Sequence, residues 1–307
     1  MKYVTIKAHG NAFKVRLMRR GLAVSASGRY CAWRSRTPSK QAQAREVPDA
    51  ELRAEFEARK GRAGAPRLAR HLARGRRQVV ESLRRQGLRV KKARRFKATT
   101  NSKHTLPVAD NLLQQDFTAE RPNQAWAGDI TCIHTEEGWL YLTVVMGLWS
   151  RRIVGWSMSG RMAAALVRDA LRMALRGRKR PRGVIMHTDR GSQYGSRGHR
   201  AVLKAHGLIA SMGAKGNCCD NAATESWNHS LKVEAIHGER LAIREHAKAQ
   251  VFEHIEVDCN RNRLHSTLGY LSPDEFEKSK AVETSVRGSG AGSRNRSPHL
   301  KDTAGFN

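Results

Sequence analysis

The chain has 307 residues, enough to bury a sizeable core and to divide into two or three domains. Its 57 Lys and Arg against 27 Asp and Glu leave a formal charge of +30, a field that favours a polyanion held by salt-sensitive phosphate contacts. No run of residues approaches a membrane span, and the five cysteines (31, 132, 218, 219 and 259) form no CxxC pair, so the sequence reads as a reduced, cytoplasmic protein without a zinc module.

In chain order, residues 1–37 hold Val15, Leu17 and Met18 on one short helix, a turn at 21–25 and a second short helix at 27–33. Ser25 or Ser27 can cap the second helix. The segment is helix-turn-helix-like, and a small basic hairpin that reads no groove fits the pattern equally well. Residues 38–107 form a basic helical region and linker. Leu52 and Phe56 lie four apart in a charged helix over 49–60, and residues 61–66 interrupt it. Leu68, Leu72, Val79, Val80 and Leu83 mark two helical pieces broken near Gly75 and ending at Gly87. The basic stretch 89–107 is either a solvated linker or a phosphate contact. Residues 1–100 carry 28 of the 57 basic residues and only 6 of the 27 acidic ones, so most of the positive excess lies in the first third.

The core is placed at 118–280. Three β-type runs at 125–134, 139–147 and 152–158 are rich in Val, Ile, Tyr and Trp, with Glu137-Gly138 as the first hairpin turn. A helix over 163–175, a strand at 183–187, a helix at 200–206, a strand at 208–211 and a helix over 221–235 follow. The order βββαβαβα is that of a ribonuclease H-like fold, an α/β mixed sheet with helices on its faces. A further helix spans 241–258. The tail over 281–307 is rich in Gly, Ser and Arg and is read as disordered.

Three acidic residues stand out against this basic background: Asp129 in Trp-Ala-Gly-Asp-Ile-Thr, Asp189 in His-Thr-Asp-Arg-Gly-Ser-Gln-Tyr and Glu225 in Asp-Asn-Ala-Ala-Thr-Glu-Ser. Asp129 lies inside the first predicted strand and Asp189 just beyond the fourth, its neighbour in such a sheet. Glu225 projects from the helix crossing the sheet edge. Taken singly, Asp189 fits an ordinary turn and Glu225 a solvated helix face. Taken together they do not, because an Asp inside an apolar strand needs a partner or a cation. Carboxylates are hard oxygen ligands of the type Mg²⁺ and Mn²⁺ prefer, and a converged set can hold two ions for in-line displacement at a phosphodiester. Lys232, two helical turns after Glu225, shares its face and is expected to meet DNA backbone. Asn221 opens the helix, as its N-cap or as a phosphate or carboxylate contact. Arg190, Gln193 and Tyr194 line the site or pack its loop, and Arg261, Arg263 and His265 touch DNA or cap their own helix end.

These motifs carry a resemblance. Those around the three acids, with residues 137–142 (Glu-Gly-Trp-Leu-Tyr-Leu), 150–156 (Ser-Arg-Arg-Ile-Val-Gly-Trp) and 265–273 (His-Ser-Thr-Leu-Gly-Tyr-Leu-Ser-Pro), resemble bacterial insertion-sequence transposases with a retroviral-integrase-like core, the product of the element's second reading frame. The match runs from about residue 3 to residue 280. It implies a DDE transposase subunit that cleaves and joins DNA at the element's ends. Asp129, Asp189 and Glu225 would be its catalytic and metal-binding residues, Lys232 its downstream basic residue and Mg²⁺ (or Mn²⁺) its cofactor. It also implies a homo-oligomer on the terminal inverted repeats and target DNA, and the first-reading-frame product as fusion or partner. Departures from the family are Gly147 where an Asp is usual, Asp258-Cys259 where aromatic residues are usual, and a short basic segment between Pro66 and Gly87. The tail after Lys280 has no counterpart. These departures raise the alternatives of a DNA-binding remnant or regulator of an intact copy; a hydrolysis-only nuclease of the same fold is a further alternative.

Overall fold

A computed structural model describes residues 2–25, 37, 39–91, 105–214 and 218–290. They fall into two compact units, Met1–Arg89 and Val90–Asn307, the first joining segment 1–37 to residues 38–89 of the segment expected over 38–107.

The first unit is helical: α1 (Lys2–Ala8), α2 (Val15–Gly21), α3 (Lys40–Ala58), α4 (Ala65–His71) and α5 (Arg76–Gln86). Helix α1 lies where no element was expected from the sequence, and it forms although Val4, Thr5 and Ile6 are β-branched. Of the helix-turn-helix expected near the N-terminus, α2 is present and the second helix, at 27–33, lies outside the described residues. The structure instead shows a complete helix–turn–helix pair further on. Helices α4 and α5 are joined by the four residues 72–75, despite the short segment that argued against one. Pro66 starts α4 and left-handed Gly87 (φ 67°) ends α5, where Leu88 N–H donates to Leu83 O at 2.9 Å. Leu52, Leu68, Val79 and Leu83 are buried among these helices. Asp49 of α3 pins α5, accepting from Ser82 Oγ and from Arg85 Nη2 at 2.6 Å.

The second unit is built on a five-stranded sheet of order β3-β2-β1-β4-β5, from β1 (Ala125–Thr135), β2 (Gly138–Gly147), β3 (Ile153–Ser159), β4 (Ile185–Thr188) and β5 (Ile209–Met212). The first three pair antiparallel, while β4 runs parallel to β1 and to β5. The hairpin turn is Glu136-Glu137, one residue earlier than expected, because Gly138 (φ 107°) already pairs with Thr135. Alternate residues feed two cores, as the strand period requires. Trp126, Val145 and Val154 pack with α6 (Ala164–Gly177) on one face. Ala125, Ala127, Val144 and Met146 belong to the core on the other face. Burial on both faces explains why β2 reads as an unbroken apolar run. Gly155 lets β3 touch α6, since a Cβ there would lie 2.3 Å from Ala170 O.

After β4 come α7 (Ser192–Gly195) and α8 (Arg197–Ala205), and after β5 a 3₁₀ turn (Cys218–Asn221) leads into α9 (Ala222–Leu231). The helix expected over 221–235 is α-helical only to Leu231 and continues as a π-helix, Lys232–Ile236. The one expected over 241–258 is α10 (Arg244–Glu253) followed by a π-helix, His254–Asn262. Helices α9 and α10 cover the second face through Trp227, Leu231, Ala247 and Val251.

The unusual residues are accommodated. Gly147 ends β2 opposite Trp126, and its N–H donates to Arg152 O at 2.8 Å, so the missing Asp leaves the strand intact. Asp258 is half-buried with Oδ2 3.7 Å from Nδ1 of buried His254, a partner for its charge. The chain beyond 280 is helical for ten more residues: α11 (Pro273–Gly290) extends into the segment expected to be disordered, with Lys280 paired to Glu283 at 2.9 Å. Residues 291–307 lie outside the described set. No helix among the described residues is long and apolar enough to cross a membrane.

Candidate active site

Asp129 sits in the middle of β1, opposite Val144 of β2, and Asp189 follows the last residue of β4. The parallel pairing Gly128↔Thr188 brings the two aspartates side by side at the end of the β1–β4 ladder. Glu225 occupies the first turn of α9 and is exposed. The sequence separates these residues widely, and the topology gathers them.

The electrostatics follow from the geometry. Burial pushes the Asp129 carboxyl up to about 7, and the negative charges of Asp189 and then Glu225 add to the rise. Only hydrogen bonds oppose it, from the Ile130 backbone and from Asn228, whose Nδ2 donates to Asp129 Oδ2 at 2.7 Å. Glu225 is also raised, by burial first and by Asp189 second. Asp189 Oδ1 accepts from Gly191 N–H at 3.0 Å, an Asx-type turn that aims the carboxylate. Three mutually repelling carboxylates are costly unless cations join them. Among the described residues no three His, Cys, Asp or Glu side chains are gathered closely enough to hold one ion between them. Carboxylates are hard oxygen donors of the kind a divalent cation takes together with water and phosphate oxygens.

The surrounding residues sort differently from the sequence reading. Lys232 continues the Glu225 face, since the backbone keeps α geometry there (φ −61°, ψ −40°), and is half-buried. Asn221 occupies the cap position of α9 but makes no side-chain cap bond. It is buried, accepts from Thr224 Oγ1 at 2.6 Å and donates to Gly128 O at 3.4 Å, so its amide is bonded inside the protein. Arg190 Nε donates to Gly213 O at 2.7 Å, tying the Asp189 loop to the end of β5. Arg263, expected at DNA or at its own helix end, is largely buried, ion-paired with Glu234 and bonded to Ser230 Oγ at 2.9 Å. His265 is half-buried and bridges its backbone to Leu271, whereas Arg261 is exposed. Gln193 Nε2 reaches Met162 O at 3.4 Å, and Tyr194 is buried behind the aspartates, its hydroxyl without a hydrogen-bond partner among the described residues. Asn228 was missed altogether. Its position three residues after Glu225 on one helix face was the available signal.

Comparisons with known proteins give the family. Family models described as "Integrase core domain" match residues 119–218 and 225–280, spanning all three acids. Transposase InsF for insertion sequence IS3A of Escherichia coli (strain K12) is 54% identical over 284 residues, covering 90% of this chain and 98% of its own. The chain belongs to the insertion-sequence transposases with an integrase-type core. The insertion element IS600 uncharacterized 31 kDa protein of Shigella sonnei is 41% identical over 260 residues, covering 83% and 95% of the two chains. A chain of the simian T-cell lymphotropic virus intasome in complex with PP2A regulatory subunit B56 gamma overlays with a TM-score of 0.45 at 15% identity, over 84% of this chain and 80% of that one, too distant to add to the assignment. The fold of this transposase is ribonuclease H-like, and its activity is that of a DDE transposase, a polynucleotidyl transferase that cuts and joins DNA.

Proposed function

We propose that Asp129, Asp189 and Glu225 are the catalytic carboxylates and that together they hold two Mg²⁺ (or Mn²⁺) ions. The observation that carries this is the Asp129 carboxyl, raised to about 7 at the sheet centre by burial and by the negative charges of the other two acids. Ions bound there would supply Lewis-acid activation of water or a terminal 3′-hydroxyl and stabilisation of the leaving 3′-oxygen in an in-line displacement. Asp129, Asp189 and Glu225 would hold the ions with their carboxylate oxygens. Asn228 holds Asp129 in one orientation, and the Gly191 N–H does the same for Asp189. No Ser or Tyr nucleophile is needed, so strand cleavage and strand transfer use one centre.

In this reading, Lys232 and exposed Arg261 meet DNA backbone, and the pair α4–α5 reads the terminal inverted repeats. Arg76, Arg77 and Arg84 lie exposed on α5. The transposase works in the cytoplasm as an oligomer on the element's ends, with the first-reading-frame product as fusion or partner. The test is Mg²⁺-dependent cleavage and joining of the cognate ends by the purified protein, beside Asp189→Asn. The variant should lose both reactions; equal activity would sink the metal assignment.

A further inference from the structure

The two residues before α9 are bonded to the strands that carry both aspartates. His187 is fully buried two positions before Asp189, and its Nε2 lies 2.7 Å from the backbone carbonyl of Asp220. A carbonyl only accepts, so Nε2 carries the proton and Nδ1 accepts from Ser211 Oγ at 2.9 Å. Asn221 donates to the carbonyl of Gly128, the residue before Asp129. The root of the Glu225 helix thus hangs from a neighbour of each aspartate.

The Asp220 side chain closes the other side. It is 3% exposed and accepts from Asn111 Nδ2 at 2.9 Å, Gln115 Nε2 at 3.0 Å and Ala214 N–H at 2.5 Å. The first two belong to the strap that precedes β1, and the third to the end of the β5 strand segment. Gly213 lets the turn fold onto this carboxylate, since a Cβ there would lie 2.9 Å from Asp220 Cβ. A helix rises about 1.5 Å and turns about 100° per residue, so slipping its start by one residue would carry Glu225 well outside the tolerance of about 0.5 Å for a catalytic group.

We infer that Asp220 and Asn221 are positioning residues for Glu225, and that Asn111 and Gln115 of the strap complete the clasp. The inference rests on the reading of Glu225 as a metal ligand. Asp220 touches neither DNA nor ion; it fixes where the helix starts and hence where the Glu225 carboxylate stands.

The experiment uses full-length Asp220→Asn, the strap variant Asn111→Ala/Gln115→Ala, the swap Asp220→Asn/Asn111→Asp, and Glu225→Gln. Mn²⁺ titration followed by the free-ion EPR signal reads assembly of the centre without turnover, and melting in EDTA reads the fold. Joining of pre-cleaved ends gives kcat and KM. Asp220→Asn and the strap variant should weaken binding of one ion about tenfold and lower kcat by about 10- to 100-fold, with KM for DNA near wild type. The swap returns an amide–carboxylate bond and should recover part of both. Wild-type Mn²⁺ binding and kcat in folded Asp220→Asn, or a rise in KM alone, overturns the inference. If Asp220→Asn does not fold, wild-type Mn²⁺ binding in the strap variant does the same. Undiminished binding of both ions by Glu225→Gln would instead overturn the assignment of Glu225.

Discussion

Asp129→Asn has two consequences of opposite sign, and the structure sizes the one that concerns stability. The Asp129 carboxyl rises from 3.8 to about 7 in the folded protein. Below pH 3.8 the group is protonated in both states and costs nothing. As pH climbs towards 7 the unfolded chain ionises first, so folding stability falls, and above 7 the full penalty is present. Three units at about 1.4 kcal/mol each set a ceiling of about 4 kcal/mol. Water reaches part of this half-buried carboxylate, so a measured effect of about 2 kcal/mol is expected. Asn removes the charge and can still accept from Asn228. In EDTA, urea unfolding should therefore show Asp129→Asn more stable than wild type at pH 8 and nearly equal at pH 4. Saturating Mg²⁺ should close the gap by stabilising wild type alone. The variant should be inactive in strand joining at every pH. Identical pH profiles for the two metal-free proteins would refute the charge-repulsion account of the site.

Four further substitutions separate structure from chemistry. Arg263→Ala should destabilise the fold by about 3–5 kcal/mol in urea titrations, because the largely buried Glu234 carboxylate would lose its ion pair with Arg263. Arg261→Ala should leave stability unchanged and reduce the salt slope of DNA binding by about 1, as loss of one phosphate contact requires. Gly155→Ala should cost about 3 kcal/mol or prevent soluble expression, since its Cβ would meet the Ala170 carbonyl and Ala174 N; a wild-type melting curve would refute the close packing of β3 on α6. Tyr194→Phe should stabilise the metal-free protein by about 1 kcal/mol in EDTA, because the buried hydroxyl has no partner to lose, and a fall in stability would expose one.

The fold was legible where periodicity is strong. Strands β1 to β3 and helix α6 fall within two residues of the expected ends, because alternation and helical spacing there reflect burial on defined faces. The triad was legible because Asp129 interrupts an apolar strand. What escaped depends on long-range contact. Helix α1 is held against the local preference of its β-branched residues, and the π-helical turns leave no period that a hydrophobic pattern reveals. Arg263 looked like a DNA contact because nothing local shows that Glu234, twenty-nine positions earlier, comes within reach. Asn221 looked like a cap for the same reason: its partner Gly128 lies 93 positions away.

The pairing Gly128↔Thr188 has a consequence for how much change this enzyme can absorb. Adjacent strands stand about 4.8 Å apart whatever their side chains, so the gap between Asp129 and Asp189 is ruled by the peptide ladder. Side-chain replacement in either core can soften the protein without altering that gauge. A change that breaks the ladder, such as proline at Ala127 or Met186, would spoil the gauge while leaving every carboxylate in the sequence. An intact set of acids is thus an incomplete sign that a copy of the element is alive; the backbone between them is part of the site.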